Sequence, residues 1–491
     1  MAQEDVIRRI EDDFSTKHLP EIQKFLRQPS ISATGEGIRE TAEILVKKIK
    51  NLGGENVHLA ESMGEEFGHP QVYGEVWSDK NKPTILFYSM YDVQPVYPEK
   101  WILNDQKIDP FGAEIYEFEW FSGFSGKCLL NRGVMNQKGP TMAAFNVLET
   151  FLKENGDLPV NIIFAIEGEE ELGSPHLRPF IEEYAEKLKR CTAVYFPMFF
   201  EAHDGAIRFT LGVRGVIPTK LLCQGGEWGG PVGRNLHSSY SGLVKNPIFK
   251  LLEALMSLKN DNTNEILVPG IMDDPDIVGP TQEDKDVIKE LLKHLDFEEL
   301  KRTLSIAKFR EKDNAELVGE KAIVEHLYKP GLSINGIESG YYGSGSMTII
   351  PYKVRANLDI RLPPFQKVDY VKKCYQNYLK EKFPMIEAHF ETGYGPAKMS
   401  PSHPLIQLTK SVYEKFGKKP VFVPLLAGSA PFSMFQSILN LPFMFGGLGH
   451  AGRAHSPLEY AVIEANDPKI GGIREFEKFV ARIFGEFGEK L

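Results

Sequence analysis

Cysteine is scarce in this chain. Four occur in 491 residues, at Cys128, Cys191, Cys223 and Cys374, and none forms a CxxC pair. That excludes a zinc knuckle and a redox dithiol and fits free thiols in a reducing compartment. No window of 18 residues is continuously apolar, which excludes an ordinary membrane-spanning helix. The opening MAQEDVIRRIEDDF is charged and amphipathic, unlike a secretory signal, so the cytoplasm is the expected location. Basic runs with interleaved aromatics are missing, and the net charge is -10. Neither nucleic acid nor an anionic membrane is therefore an expected partner. There is no internal repeat and no low-complexity tract.

A globular composition remains, with 42% hydrophobic and 25% charged residues, on a chain too long for one core. Residues 4–27 carry Val6, Ile10, Phe14, Ile22 and Phe25 at helical spacing, and residues 37–52 repeat the pattern. QVYGEVW (71–77), TILFYSM (84–90), VNIIFAI (160–166) and TAVYFPMFF (192–200) are short apolar runs that predict strands. NQKGPTMAAFNVLETFLKE (136–154) between them predicts a helix with Pro140 near its first turn. Such alternation implies an α/β domain with a largely parallel sheet, whose functional groups gather at the carboxyl ends of the strands. The pattern changes after Arg214. Strands VIPTKLLCQ and KVRANLDIRL, with helices over 247–258 and 367–382, predict an inserted domain over 216–398. The first domain is then 1–215 plus 399–491. Its last helix aligns Ile473, Phe476, Val480, Ile483 and Phe487 on one face.

Several segments occur in a telling order. They are YSMYDVQP (88–95), NRGVMNQKGP (131–140), IEGEEELGS (166–174), LGVRG (211–215), NLHSS (235–239), LLAGSAP (425–431) and RAHSPLE (453–459). The set resembles the zinc-dependent family of carnosine dipeptidases, glutamate carboxypeptidases, aminoacylases and succinyl-diaminopimelate desuccinylases. The nearest branch is that of the cytosolic non-specific dipeptidases. The resemblance implies a mostly parallel α/β catalytic domain of phosphorylase/hydrolase type with an inserted α+β lid and dimerisation domain. It also implies two zinc ions sharing a hydroxide, held by imidazole and carboxylate ligands.

Placed on that pattern, the chain departs from it at three of five ligand positions. Met90 stands at the first histidine, Asn136 at the bridging aspartate, and Met198 at or near the second aspartate. Glu171 and His455 are of ligand type, and Glu170 stands at the general-base position. Two cations without a bridging carboxylate repel each other. The expectation is therefore a chain with no cofactor, its two methionines filling the space of the ions. A single soft ion on Met90, Met198 and His455 stays open.

The recognition groups match better. His237 corresponds to a histidine that reaches the partner subunit's site in a homodimer. Thr348, Arg361, Gly428 and Ser429 correspond to groups that grip a substrate carboxylate, and a guanidinium suits that task. Asp92 is the orienting carboxylate. The stretch GAEIYEFEWFSGFSGKCLL (112–130) is longer than the family has and predicts either a self-packed hairpin or an aromatic wall to the pocket. The expected substrate is small and bears a carboxylate. An amide, imine or cyclic amide C–N bond would be cleaved or rearranged by Glu170 with Asp92 and Glu171, without the two zinc ions. The alternatives are a binding protein without turnover and a conventional metal-dependent dipeptidase with a repositioned site.

Overall fold

A computed structural model describes residues 2–61 and 68–491. They divide into two compact units. The first comprises Met1–Leu211, Met399–Phe422 and Met434–Leu491, and the second Gly212–Lys398 and Val423–Ser433.

Six strands form the main sheet of the first unit, in the spatial order Glu55–Ala60, Gln71–Val76, Asn161–Glu167, Thr84–Met90, Ala193–Pro197, Phe443–Gly446. The last four run parallel, and the first two are antiparallel additions at one edge. Every residue of Thr84–Met90 and of Asn161–Glu167 is buried, as expected for strands covered on both faces. Helices Lys138–Asn155 and Ile473–Lys490 are part of that cover. The latter buries Phe479 and Phe484 besides the five apolar residues of its expected face. The helical pattern over 4–27 is one path in two helices, Ala2–Asp13 and Leu19–Arg27. A π-helical turn at Phe14–His18 joins them and keeps Phe14 buried.

The aromatic stretch over 112–130 is a hairpin, Glu114–Phe121 with Phe124–Leu130, that pairs with the strand Tyr460–Ala465. Phe118 and Trp120 are buried against Tyr460 and Val462 in a small core of their own. This answers the choice left by the sequence in favour of self-packing. Beside it, His450 is 6% exposed. Its Nδ1 lies 2.9 Å from the Glu201 carbonyl and its Nε2 2.8 Å from the Tyr460 hydroxyl, a pairing suited to the neutral ring. Burial lowers its pKa to about 4. The unfolded chain, with histidine near its ordinary value, takes up the proton first as pH falls. Stability is thus full above about pH 6.5 and is lost toward pH 4, by about 2–3 kcal/mol at pH 4.5. Melting curves should show a smaller loss between pH 7 and pH 4.5 in His450→Gln than in the unaltered protein.

The second unit holds a four-stranded antiparallel sheet in the order Gly331–Glu338, Lys353–Leu362, Gly215–Gln224, Ile386–Phe390. Alternation is regular along Lys353–Leu362. Val354, Ala356, Leu358, Ile360 and Leu362 face a core made with helices Pro247–Leu258 and Val368–Lys382. Asp359 and Arg361 therefore stand on the opposite face. The segment Val423–Ser433 packs with this unit, although the sequence reading places it in the first domain. Val213 bridges Leu426, and Leu425 is buried with Ile288, Leu327 and Tyr328.

Candidate active site

In the first unit the site residues collect at the carboxyl ends of the parallel strands. Met90 ends its strand, is 1% exposed and pairs in register with Glu167. Two residues on, Asp92 is fully buried. Its two carboxylate oxygens accept the backbone N–H groups of Glu170 (3.2 Å) and Glu171 (3.0 Å). Asp92 thus caps the 3-10 turn Glu170–Leu172 that presents both glutamates. Burial first, and the charge of Glu171 second, push the Asp92 pKa up to about 7. Glu170 is displaced well above the ordinary carboxyl range by burial and then by the charges of Glu171, Glu167 and Asp92. Burial also raises Glu167, to about 8.

Glu171 is the hub. Its Oε1 accepts from Asn136 Nδ2 at 2.7 Å and lies 2.9 Å from His455 Nε2; its Oε2 accepts from Gln94 Nε2 at 2.8 Å. Asn136 Nδ2 is also 2.9 Å from His455 Nε2, so the three side chains form a closed triangle. The hydrogen bond to Glu171 is the main reason the His455 pKa is raised. Met198 is half-buried just beyond the strand Ala193–Pro197, its backbone N–H 3.5 Å from the Gly446 carbonyl.

The loop bearing Asn136 is held from below. The fully buried Glu459 accepts the backbone N–H groups of Met135 and Asn136, both at 3.0 Å, and pairs with Arg132 at 2.6 Å. Gln94, Arg132 and Glu459 lie inside the family-like segments, yet residue type alone assigned them no part.

The second unit groups its site residues in two pairs. His237 Nδ1 accepts the backbone N–H of Ser239 at 3.1 Å, which leaves the proton on Nε2, 3.1 Å from the Thr348 hydroxyl. Arg361 donates from Nη1 to the Ser429 hydroxyl at 3.0 Å and from Nη2 to Asp359 at 2.9 Å. The Gly428 carbonyl accepts the backbone N–H of Arg214 at 3.1 Å.

Residues 86–471 match the model of Peptidase family M20/M25/M40. The chain is 30% identical over 371 residues to a Cys-Gly metallodipeptidase DUG1 of Candida albicans, covering 72% of this chain and 70% of the relative. It is 31% identical over 324 residues to a human Beta-Ala-His dipeptidase, covering 64% of this chain and 57% of the relative. A solved M20 family metallo-carboxypeptidase, Sso-CP2 from Sulfolobus solfataricus, superposes with a TM-score of 0.80 at 29% identity, over 96% of this chain and 98% of that one.

This kinship overturns the expectation of a chain without cofactor, zinc included, since relatives named as metalloenzymes point to a metal. The expectation failed because it counted ligands one position at a time and gave no weight to the family as a whole. The side chains themselves do not assemble the usual two-ion donor set. Asn136 brings an amide to the bridging position, and Met90 a thioether to the first. Among the described residues no three or more His, Cys, Asp or Glu side chains gather to hold an ion. Glu171 and His455 are the ligand-type pair in contact. Motif order, domain plan and similarity along most of the chain agree, and this protein belongs to Peptidase family M20/M25/M40.

Proposed function

We propose that this peptidase-family chain acts on a dipeptide, or a similar small molecule with a free carboxylate, at an amide or related C–N bond. The observation that carries this reading is the Arg361–Ser429 pair. A guanidinium on the sheet face away from the helices has Asp359 along one edge and a hydroxyl at the other. That arrangement suits a carboxylate taken up by the fork with help from the hydroxyl. The relatives named as dipeptidases support the size of the ligand. His237, Thr348, Gly428 and His455 complete the proposed binding set. Glu170 is the proposed proton-transfer group, with Asp92 and Glu171 as its adjoining carboxylates. The test is calorimetry with a dipeptide and its C-terminal amide. Arg361→Gln should weaken the free acid by about 10–100-fold and leave the amide within about threefold. Equal losses for both ligands would sink the reading.

A second reading is favoured by the Asn136 amide, which donates to Glu171 from the position where the family pattern has a charged aspartate. It is a protein that binds the same ligand without turning it over. Tight binding with no product after long incubation at high protein concentration would establish it.

The second unit is also proposed to pair two copies of the chain. Phe249, Leu252 and Met256 stand exposed on its helix Pro247–Leu258, at 67%, 39% and 69%. The edge strand Gly331–Glu338 exposes Ile334 and Ile337. An apolar helix face beside an unpaired strand edge suits a self-complementary interface. Sedimentation should give a dimer, and Phe249→Glu with Met256→Glu a monomer. A fully active monomer would remove the proposed action of His237 across subunits.

A further inference from the structure

The LGVRG segment sets Arg214 between the strands Gly212–Val213 and Gly215–Gln224, and nothing in the proposed chemistry uses it. Its surroundings are unusual for an arginine. The residue is 5% exposed. Nη1 donates to the His326 carbonyl at 2.6 Å, and Nη2 to the carbonyls of Lys329 (2.6 Å) and Arg361 (3.4 Å). The buried Nε has no partner. Among the described residues no carboxylate forms an ion pair with it. The charge felt beside it is that of another cation, Arg361, which after burial is the second cause of a pKa lowered to about 10. A Cβ at Gly331 would lie 3.4 Å from Arg361 Cβ and 3.7 Å from Arg214 Nη2, so the two arginines flank one bare stretch of backbone.

The backbone of Arg214 reaches the other half of the anchor. Its N–H donates toward the carbonyls of Gly428 (3.1 Å) and Leu426 (3.3 Å), and Leu426 N–H returns a bond to the Gly212 carbonyl at 2.7 Å. One residue therefore ties the strand that carries Arg361 to the segment that carries Gly428 and Ser429. A guanidinium buried beside a like charge and without an anion is costly, and carbonyl contacts alone repay only part of that cost. Arg214, Arg361 and Asp359 together carry two positive charges and one negative. One carboxylate balances them.

We propose that Arg214 is a positioning residue for carboxylate recognition: it aims Arg361 and Ser429 and leaves the anchor one positive charge in excess, selecting a monoanionic ligand end. This rests on the reading of Arg361 as the carboxylate anchor.

The experiment is calorimetry on the full chain with alanylglycine and alanylglycinamide, comparing Arg361→Gln, Arg214→Gln and Arg214→Lys. The quantity read is the preference for the free acid over the amide. The preference should vanish in Arg361→Gln, fall about tenfold in Arg214→Gln and about threefold in Arg214→Lys, which keeps the charge and loses the fork. Amide affinity should stay within about threefold throughout, as charge-assisted contacts are made by the acid alone. An Arg214→Gln protein that weakens both ligands alike, or keeps the preference that Arg361→Gln removes, overturns the inference and leaves the anchor standing. Persistence of the preference in Arg361→Gln, or its absence from the unaltered protein, overturns the anchor and this inference with it. If melting curves show that Arg214→Gln does not fold, Arg214→Lys decides by the same ratio, an unchanged preference counting against the proposal.

Discussion

Glu170→Gln should lower kcat for a dipeptide substrate by about 10²–10⁴-fold and leave its dissociation constant within about threefold. The two side chains have nearly the same shape, so the turn Glu170–Leu172 and its cap on Asp92 should survive. What disappears is a titratable proton. Burial first, and then the charges of Glu171, Glu167 and Asp92, raise the Glu170 carboxyl well above its ordinary range, which suits it to proton transfer. Breaking an amide requires a proton at the leaving nitrogen, and an amide side chain cannot supply it. The measurement is steady-state kinetics beside calorimetry on both proteins. An unchanged kcat removes Glu170 from the chemistry. Binding without turnover in the unaltered protein would move the assignment to the binder reading.

Local pattern was a sound guide to local structure. The all-apolar TILFYSM is the buried strand Thr84–Met90, and the alternating KVRANLDIRL is the half-buried strand Lys353–Leu362. Both depend on side chains two residues apart, which a sequence displays directly. The π-helical turn at Phe14–His18 was not legible, because a change of helical pitch leaves the apolar spacing nearly intact. Nor was the attachment of Val423–Ser433 to the second unit, which depends on Val213 meeting Leu426 across about two hundred residues of chain. The candidate site divides in the same way. The resemblance, rather than residue type, placed Glu170, Glu171 and Asp92 in one carboxylate cluster. The resemblance also set Asn136, Glu171 and His455 at one site, but the direct contacts that close them into a triangle join three distant segments, and no spacing rule announces those. The cofactor expectation failed for another reason. Ligand-by-ligand substitution is a statement about donors, whereas metal use in this family is a statement about kinship along most of the chain.

Glu459→Ala should cost about 3–5 kcal/mol of stability, the largest loss expected from any single site residue. Glu459 and Arg132 form an ion pair in which the two side chains are 0% and 3% exposed. Removing the glutamate leaves a guanidinium buried beside Trp101, whose ring centroid is 5.8 Å away, and an ordered water cannot replace a full charge. Two backbone N–H groups, of Met135 and Asn136, lose their acceptor at the same time. The effect should therefore reach function. With the Asn136 loop released, its hydrogen bond to Glu171 loosens, and with it the position of the His455 partner of Glu171, although none of the three was altered. Glu459→Gln separates the two consequences. It can still accept the two N–H bonds, and it lacks the charge that Arg132 needs. Urea unfolding should place Glu459→Gln between the unaltered protein and Glu459→Ala, and dipeptide affinity should follow the loop rather than the charge. If Glu459→Ala unfolds at the same urea concentration as the unaltered protein, the loop has another support, and the control assigned here to the Arg132–Glu459 pair is wrong.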